Sequence, residues 1–96
     1  MKILTGALRG QRILFRPNPH LRPTADKARK AIFDMFQGAM EGKRVLDLFS
    51  GTGALGFEAL SQGAAHVTFV EKNKVQCSEI SANLERFHWT DQTDVC

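Results

Sequence analysis

The residues best suited to chemistry form a glycine-rich hexapeptide flanked by two carboxylates. Gly51-Thr52-Gly53-Ala54-Leu55-Gly56 follows the largely apolar run Arg44-Val45-Leu46-Asp47-Leu48-Phe49. Asp47 precedes the first glycine by four residues, and Glu71 follows it by 20. Glycines at 51 and 53 let backbone pass close to a ligand and reach positive φ without a Cβ clash. A helix opening at this turn offers unpaired N–H groups to a carboxylate or phosphate. An acid at the end of the next strand is placed to accept hydrogen bonds from ribose hydroxyls. Together these residues suit a nucleoside cofactor.

Asp47 bears on which one. Dinucleotide sites set a pyrophosphate on the helix end, and a carboxylate just upstream would repel it while attracting an ammonium. S-adenosylmethionine carries an amino group, a carboxylate and a sulfonium on one adenosine. The candidate cofactor-binding residues are Asp47, Phe49, Ser50, Gly51, Thr52, Gly53, Glu71 and Lys72. Asp47 would take the amino group and Glu71 the ribose. Asp47 has a plainer alternative role, that of tying its own loop to neighbouring N–H groups.

The elements that must hold these groups follow from hydrophobic period and turn chemistry. Lys2–Thr5 and Gln11–Phe15, joined by a turn bounded by Gly6 and Gly10, read as a hairpin. Arg16 to Pro23 holds three prolines and reads as a stiff linker. Thr24 is a candidate N-cap for a helix from Ala25 to about Ala39, whose apolar stripe is Ala28, Ile32, Met35, Phe36 and Ala39. Arg29 projects beside that stripe, either laying its stem on the core or aiming its charge into a cleft. Arg44–Phe49 reads as a buried parallel strand, Ala54–Gln62 as a helix closed by Gly63, and His66–Glu71 as a second strand. Asn73–Phe87 reads as a helix with Cys77, Ile80, Leu84 and Phe87 on its inner face. His88–Cys96 shows no period. The expected fold class is α/β, a Rossmann-like domain behind an N-terminal hairpin and linker (residues 1–23), with residues 24–96 breaking off before a third strand. On that reading the second strand keeps an open edge, prone to aggregation or swapping.

Composition limits the alternatives. Ninety-six residues, 43% apolar and 24% charged, suit one small domain. No apolar run approaches the roughly 20 residues that span a bilayer, so no membrane partner is expected. Cys77 and Cys96 are too few for a disulfide framework and form no ligand pattern with His20, His66 and His88, so the reading is free thiols in the cytoplasm and no metal. Charge is uneven: residues 1–44 carry a balance of +7 and residues 45–96 one of −4. A basic front suggests a polyanionic partner.

Val45-Leu46-Asp47-Leu48-Phe49-Ser50-Gly51-Thr52-Gly53-Ala54-Leu55-Gly56-Phe57-Glu58-Ala59 closely resembles the RsmD family of bacterial small-subunit ribosomal RNA guanine-N2 methyltransferases. The likeness extends to Gly6 and Gly10, Leu21-Arg22-Pro23-Thr24 with Asp26 and Arg29, Ala31-Ile32-Phe33, and Phe69-Val70-Glu71-Lys72. The resemblance implies methyl transfer from S-adenosylmethionine to a guanine exocyclic amine, with ribosomal RNA or the small ribosomal subunit as partner. It also implies that Asp47, the glycine turn and Glu71 bind cofactor. The basic front would then meet RNA through Lys2, Arg9, Arg12, Arg16, Arg22 and Arg29.

Such enzymes place an Asn/Asp-Pro-Pro-Tyr/Phe motif after their fourth strand, to hold the target amine and stack the unstacked base. This sequence has no Tyr, and its last proline is Pro23. The expectation is a chain that carries the cofactor-binding half, has no catalytic residue of its own and is inactive alone. Two other readings are a non-catalytic RNA-binding or partner module that keeps the glycine turn, and a dinucleotide-binding domain.

Overall fold

The computed structural model describes residues 1–16, 26–35 and 38–96. Arg22, the prolines, Thr24 and the stripe residue Phe36 therefore lie outside the described residues. Helix α1 spans Asp26–Met35, strand β1 Arg44–Leu48, helix α2 Ala54–Ser61, strand β2 His66–Val70 and helix α3 Lys74–Arg86. A 3₁₀ turn at Thr90–Gln92 leads into strand β3, Thr93–Val95.

β1, β2 and β3 form one parallel sheet in that order, with Asp47 opposite Phe69 and Phe69 opposite Val95. Alternation along β2 puts Val67 and Phe69, both fully buried, on one face. α2 and α3 cover that face, so the unit is β-α-β-α-β, the start of a doubly wound domain. Phe57 of α2 seats against Phe69 at 5.4 Å between ring centroids and against Phe87 at 6.1 Å.

The third strand corrects the sequence reading, which had residues 24–96 ending before it. Thr93-Asp94-Val95 is too short and too polar to show a period of its own. Pairing with β2 makes it a strand: the Cys96 amide donates to the Phe69 carbonyl at 2.8 Å, and the Glu71 amide donates to the Cys96 carbonyl at 3.0 Å. β2 is thus the central strand, and the open edge expected there passes to the two outer strands, β1 and β3. β1 is accordingly less buried than expected, with Leu46 and Leu48 more than half exposed.

The hairpin forms, but more narrowly than expected. Antiparallel pairing reduces to a bridge between Lys2 and Arg12, flanked by Ile3 N–H to the Gln11 carbonyl and Ile13 N–H to the Met1 carbonyl at 2.8 and 2.9 Å. Ile3 and Ile13 point into the same core as Phe57, Val67, Phe69, Ile80 and Leu84. The second hairpin strand is held by Asn83 of α3, which accepts from the Leu14 amide and donates to the Leu14 carbonyl, copying a strand partner.

α1 turns a different face inward from the one its apolar stripe suggests. Ile32 and Met35 are 41% and 82% exposed, and Ala28 is exposed too, whereas Arg29 and Phe33 are buried. The reason is electrostatic. Glu58 of α2 lies fully buried behind α1, and its Oε2 sits 3.2 Å from Arg29 Nε. A buried carboxylate needs a partner, and a helix that supplies Arg29 also buries Phe33, one turn on, instead of the Ile32–Met35 face.

Candidate functional site

The glycine turn lies at the carboxyl end of β1, where open α/β sheets place their ligands. Phe49 leaves the strand at φ 55° with its ring 90% exposed. A bulky residue in the left-handed region costs about 1–2 kcal/mol, and such strain gathers at functional sites. The Ser50 amide donates to the Val70 carbonyl at 2.9 Å and its hydroxyl to the Asp47 carbonyl at 2.7 Å, which closes the turn. Gly53 is the N-cap of α2 at φ 83°, a conformation suited to glycine.

Both acids meet this turn. Asp47 is 7% exposed, and its Oδ2 accepts the Gly56 amide at 3.1 Å, one of the four N–H groups that the start of α2 leaves open. Burial pushes its pKa from 3.8 to about 6, against the pull of the Gly56 and Ser50 hydrogen bonds, while the Glu71 charge adds to the rise. Glu71 Oε1 accepts the Gly51 amide at 2.9 Å and Oε2 the Asn73 amide at 2.9 Å. A carboxylate offers about four lone-pair sites, so each Glu71 oxygen keeps acceptor capacity for a hydroxyl. Asn73 also caps α3, accepting the Gln76 amide at 3.1 Å. Lys72 is exposed beside it.

The burial of Asp47 has a consequence for stability. Between about pH 4 and pH 6 the folded chain holds a proton that the unfolded chain has released. Stability therefore falls as pH rises through that window and levels off above it. Asp47→Asn, which keeps an acceptor for the Gly56 amide, is expected to stabilise the chain at pH 7.5 by up to about 3 kcal/mol. The gain should shrink towards pH 4. Urea titrations at the two pH values measure it.

Two neighbours of the turn carry no sequence signal. The Thr52 hydroxyl lies 3.6 Å from the Met1 sulfur, which brings the chain's first residue to the glycine turn. Cys77 is only half-buried, and its thiol donates to the Glu71 carbonyl at 3.0 Å rather than packing deep in the core. A pair of residues far apart in sequence, or a side chain bonded to backbone, leaves no period to read.

Of the basic residues, Lys2, Arg9, Arg12 and Arg16 are exposed, and Arg22 lies outside the described residues. Arg9 lines a hollow of about 610 Å³ between the hairpin and α1, together with Lys30. Arg29 is a correction to the proposed RNA contacts. It is 0% exposed, faces Glu58 and donates to the Lys2 carbonyl at 2.7 Å, so its charge serves the interior.

A parallel β-α-β-α-β unit with a glycine turn after its first strand, and carboxylates in β1 and just after β2, defines a Rossmann-like fold of the S-adenosylmethionine-dependent methyltransferase class. The chain belongs to the RsmD family: the family described as conserved hypothetical protein 95 matches residues 1–96. It is similar to ribosomal RNA small subunit methyltransferase D of Haemophilus influenzae, at 35% identity over 85 residues, 88% of this chain and 44% of that protein. Among solved structures, yhhF of Escherichia coli superposes with a TM-score of 0.88 at 28% identity, over 99% of this chain and 50% of its own. A PRMT6–SAH structure superposes at 0.59 and 27% identity, over 72% of this chain and 21% of its own. The chain spans about half the length of the curated relatives it matches.

Proposed function

We propose that this chain forms the cofactor-binding half of a ribosomal RNA methyltransferase that uses S-adenosylmethionine to methylate the exocyclic N2 amine of a guanine in small-subunit RNA. The observation that carries the reading is Asp47. A carboxylate held at a pKa of about 6 beside an open helix end and a glycine turn is a cost to folding that an ammonium ligand would offset. Names of relatives supply the RNA substrate, and four exposed cations of the hairpin segment supply a surface for it.

The residues present fit the cofactor by the chemistry of their donors and acceptors. Asp47 would accept from its amino group and Glu71 from its ribose hydroxyls, while Phe49, Ser50, Gly51, Thr52 and Gly53 frame the approach and Lys72 borders it. When bound, the cofactor supplies an activated methyl group. This chain's own residues bind and orient it; an Asn/Asp-Pro-Pro-Tyr/Phe motif to hold a guanine amine is absent from the sequence, and the chain alone is expected to be inactive. Lys2, Arg9, Arg12 and Arg16 would meet RNA phosphates.

Calorimetry with S-adenosylhomocysteine tests the reading. Binding should weaken by about a hundredfold in Asp47→Ala, the loss of one charge-assisted hydrogen bond in a buried setting. In the unsubstituted chain, affinity should hold above pH 6 and fall by up to about tenfold per pH unit below it, because Asp47 must shed its proton to receive the ammonium. Affinity that is flat between pH 5 and pH 7 sinks the role given to Asp47. Filter binding against salt tests the RNA surface separately, since each phosphate contact adds about 0.7–0.9 to the slope.

A further inference from the structure

The hollow beside Arg9 has a divided chemistry. α2 has eight residues and is about 12 Å long, and the hollow lies at its far end from the glycine turn, apart from the cofactor cleft. Its floor is rigid. The Ala7 amide donates to the Ser61 carbonyl at 2.8 Å and the Leu8 amide to the Ser61 hydroxyl at 2.9 Å. That hydroxyl donates in turn to the Thr5 carbonyl at 2.6 Å. Gly6 sits so close to α2 that a Cβ there would lie 2.1 Å from the Ser61 carbonyl oxygen.

This floor is rich in acceptors. It lies at the carbonyl end of α2, which carries negative partial charge. The half-buried Gln62 gives its amide N–H groups to the Thr5 hydroxyl at 3.0 Å and the Phe33 carbonyl at 3.3 Å. Its Oε1 accepts from none of the described residues. Asp34 of α1 adds a carboxylate to one wall. The cations, Arg9 and Lys30, stand exposed where the hollow meets water, and Lys30 reaches Asp34 at 2.9 Å. A bare phosphate would suit the cations but not Asp34 or the carbonyl end of α2. A ligand with one anionic part and one N–H-rich part suits both.

We propose that this hollow is a base-reading RNA subsite, which takes one unpaired nucleotide with its phosphate on Arg9 and Lys30 and the amino group of its cytosine, adenine or guanine on Asp34 and Gln62. A volume of about 610 Å³ falls within the range of small-ligand sites, roughly 300–1,000 Å³. Single-stranded RNA offers such nucleotides, because its unstacked bases can be splayed out and read along their hydrogen-bonding edges. The subsite rests on the RNA substrate already proposed for this chain and adds a readout of base identity, which contacts to phosphate alone do not give. Uracil has a carbonyl where cytosine has its amino group, and would set acceptor against acceptor at Asp34.

Two probes test the subsite: cytidine 5′-monophosphate, followed by NMR, and ten-residue cytidine and uridine oligomers in filter binding. The monophosphate should shift the amides of Gly6, Gly38 and Gly63, which line the hollow. Arg9→Ala should weaken it by about tenfold, the loss of one charge-assisted hydrogen bond. The chain should prefer the cytidine oligomer by about fivefold, the low end for one base contact, and Asp34→Ala should erase that preference. If the hollow only gathers phosphates, Asp34→Ala removes a repelling charge and tightens both oligomers alike, which overturns the base readout. Unmoved glycine amides overturn the site. Arg9 and Asp34 are exposed, so both variants should melt with the parent. If Lys2→Ala and Arg12→Ala weaken RNA binding while Arg9→Ala and Asp34→Ala do not, the subsite falls and the RNA reading stands. If the oligomers do not bind while the monophosphate still shifts the three glycines, the hollow keeps its ligand and the RNA reading falls instead.

Discussion

Glu58→Ala is expected to cost this chain about 3–5 kcal/mol, the usual loss when one partner of a buried ion pair is removed. Small domains have only about 5–15 kcal/mol in total, so the loss is a large share of the chain's stability. The size of the effect follows from how much converges on one carboxylate. Its two oxygens accept the Leu4 amide at 3.0 and 2.8 Å, and Oε1 also takes the Thr5 amide and hydroxyl, each at 3.0 Å. Arg29 lies on its other side, and both side chains are essentially sealed from water. One group thus ties the hairpin, α1 and α2 together. Arg29→Met should cost less, because Glu58 keeps its three hairpin donors when the cation goes. Circular dichroism melts of the two variants give the ranking, and a loss below about 1 kcal/mol for Glu58→Ala would mean that the clamp contributes nothing of note.

Gly56→Ala is the second large effect, and here two forces oppose one another. Alanine in a helix is favoured over glycine by about 1 kcal/mol. A Cβ at position 56, however, would lie 2.2 Å from one carbon of the Phe69 ring and 2.6 Å from another. Phe69 is fully buried against Phe57 and cannot swing away, so α2 must lift from the sheet. Overpacking of this kind costs typically 1–3 kcal/mol and sometimes more, and the clash should win by up to about 2 kcal/mol. The same lift would lengthen the bond from the Gly56 amide to Asp47. Affinity for S-adenosylhomocysteine should therefore fall along with stability, and an alanine variant that is both stable and tight-binding would refute the close approach.

The glycine motif was legible before any coordinates, whereas what a Cβ at position 56 would meet depends on Phe69 of β2. Other parts of the chain were not legible, for reasons specific to each. The inner face of α1 was misread because Ala28, Ile32 and Met35 have helical spacing, while the buried charge pair depends on Glu58, 29 residues after Arg29. Arg29 accordingly leaves the set of RNA contacts. β3 was missed because three residues cannot establish a period, and Trp89 lies in the same stretch without one. In the structure it stacks on Phe57 at 6.4 Å and packs against Phe87 at 5.4 Å.

Local signals were enough for the glycine turn, for Asp47 and Glu71 flanking it, for α2 and α3 with their ends, and for the α/β class, because each is written in residues a few positions apart. Tertiary structure decided which face of α1 is buried, that Thr93–Val95 joins the sheet beside β2, and that Leu46 and Leu48 of β1 lie exposed. These depend on partners brought together from opposite ends of the chain. Burial and charge pairing are properties of the assembled core, and a stripe of apolar residues is only one bid for a place in it.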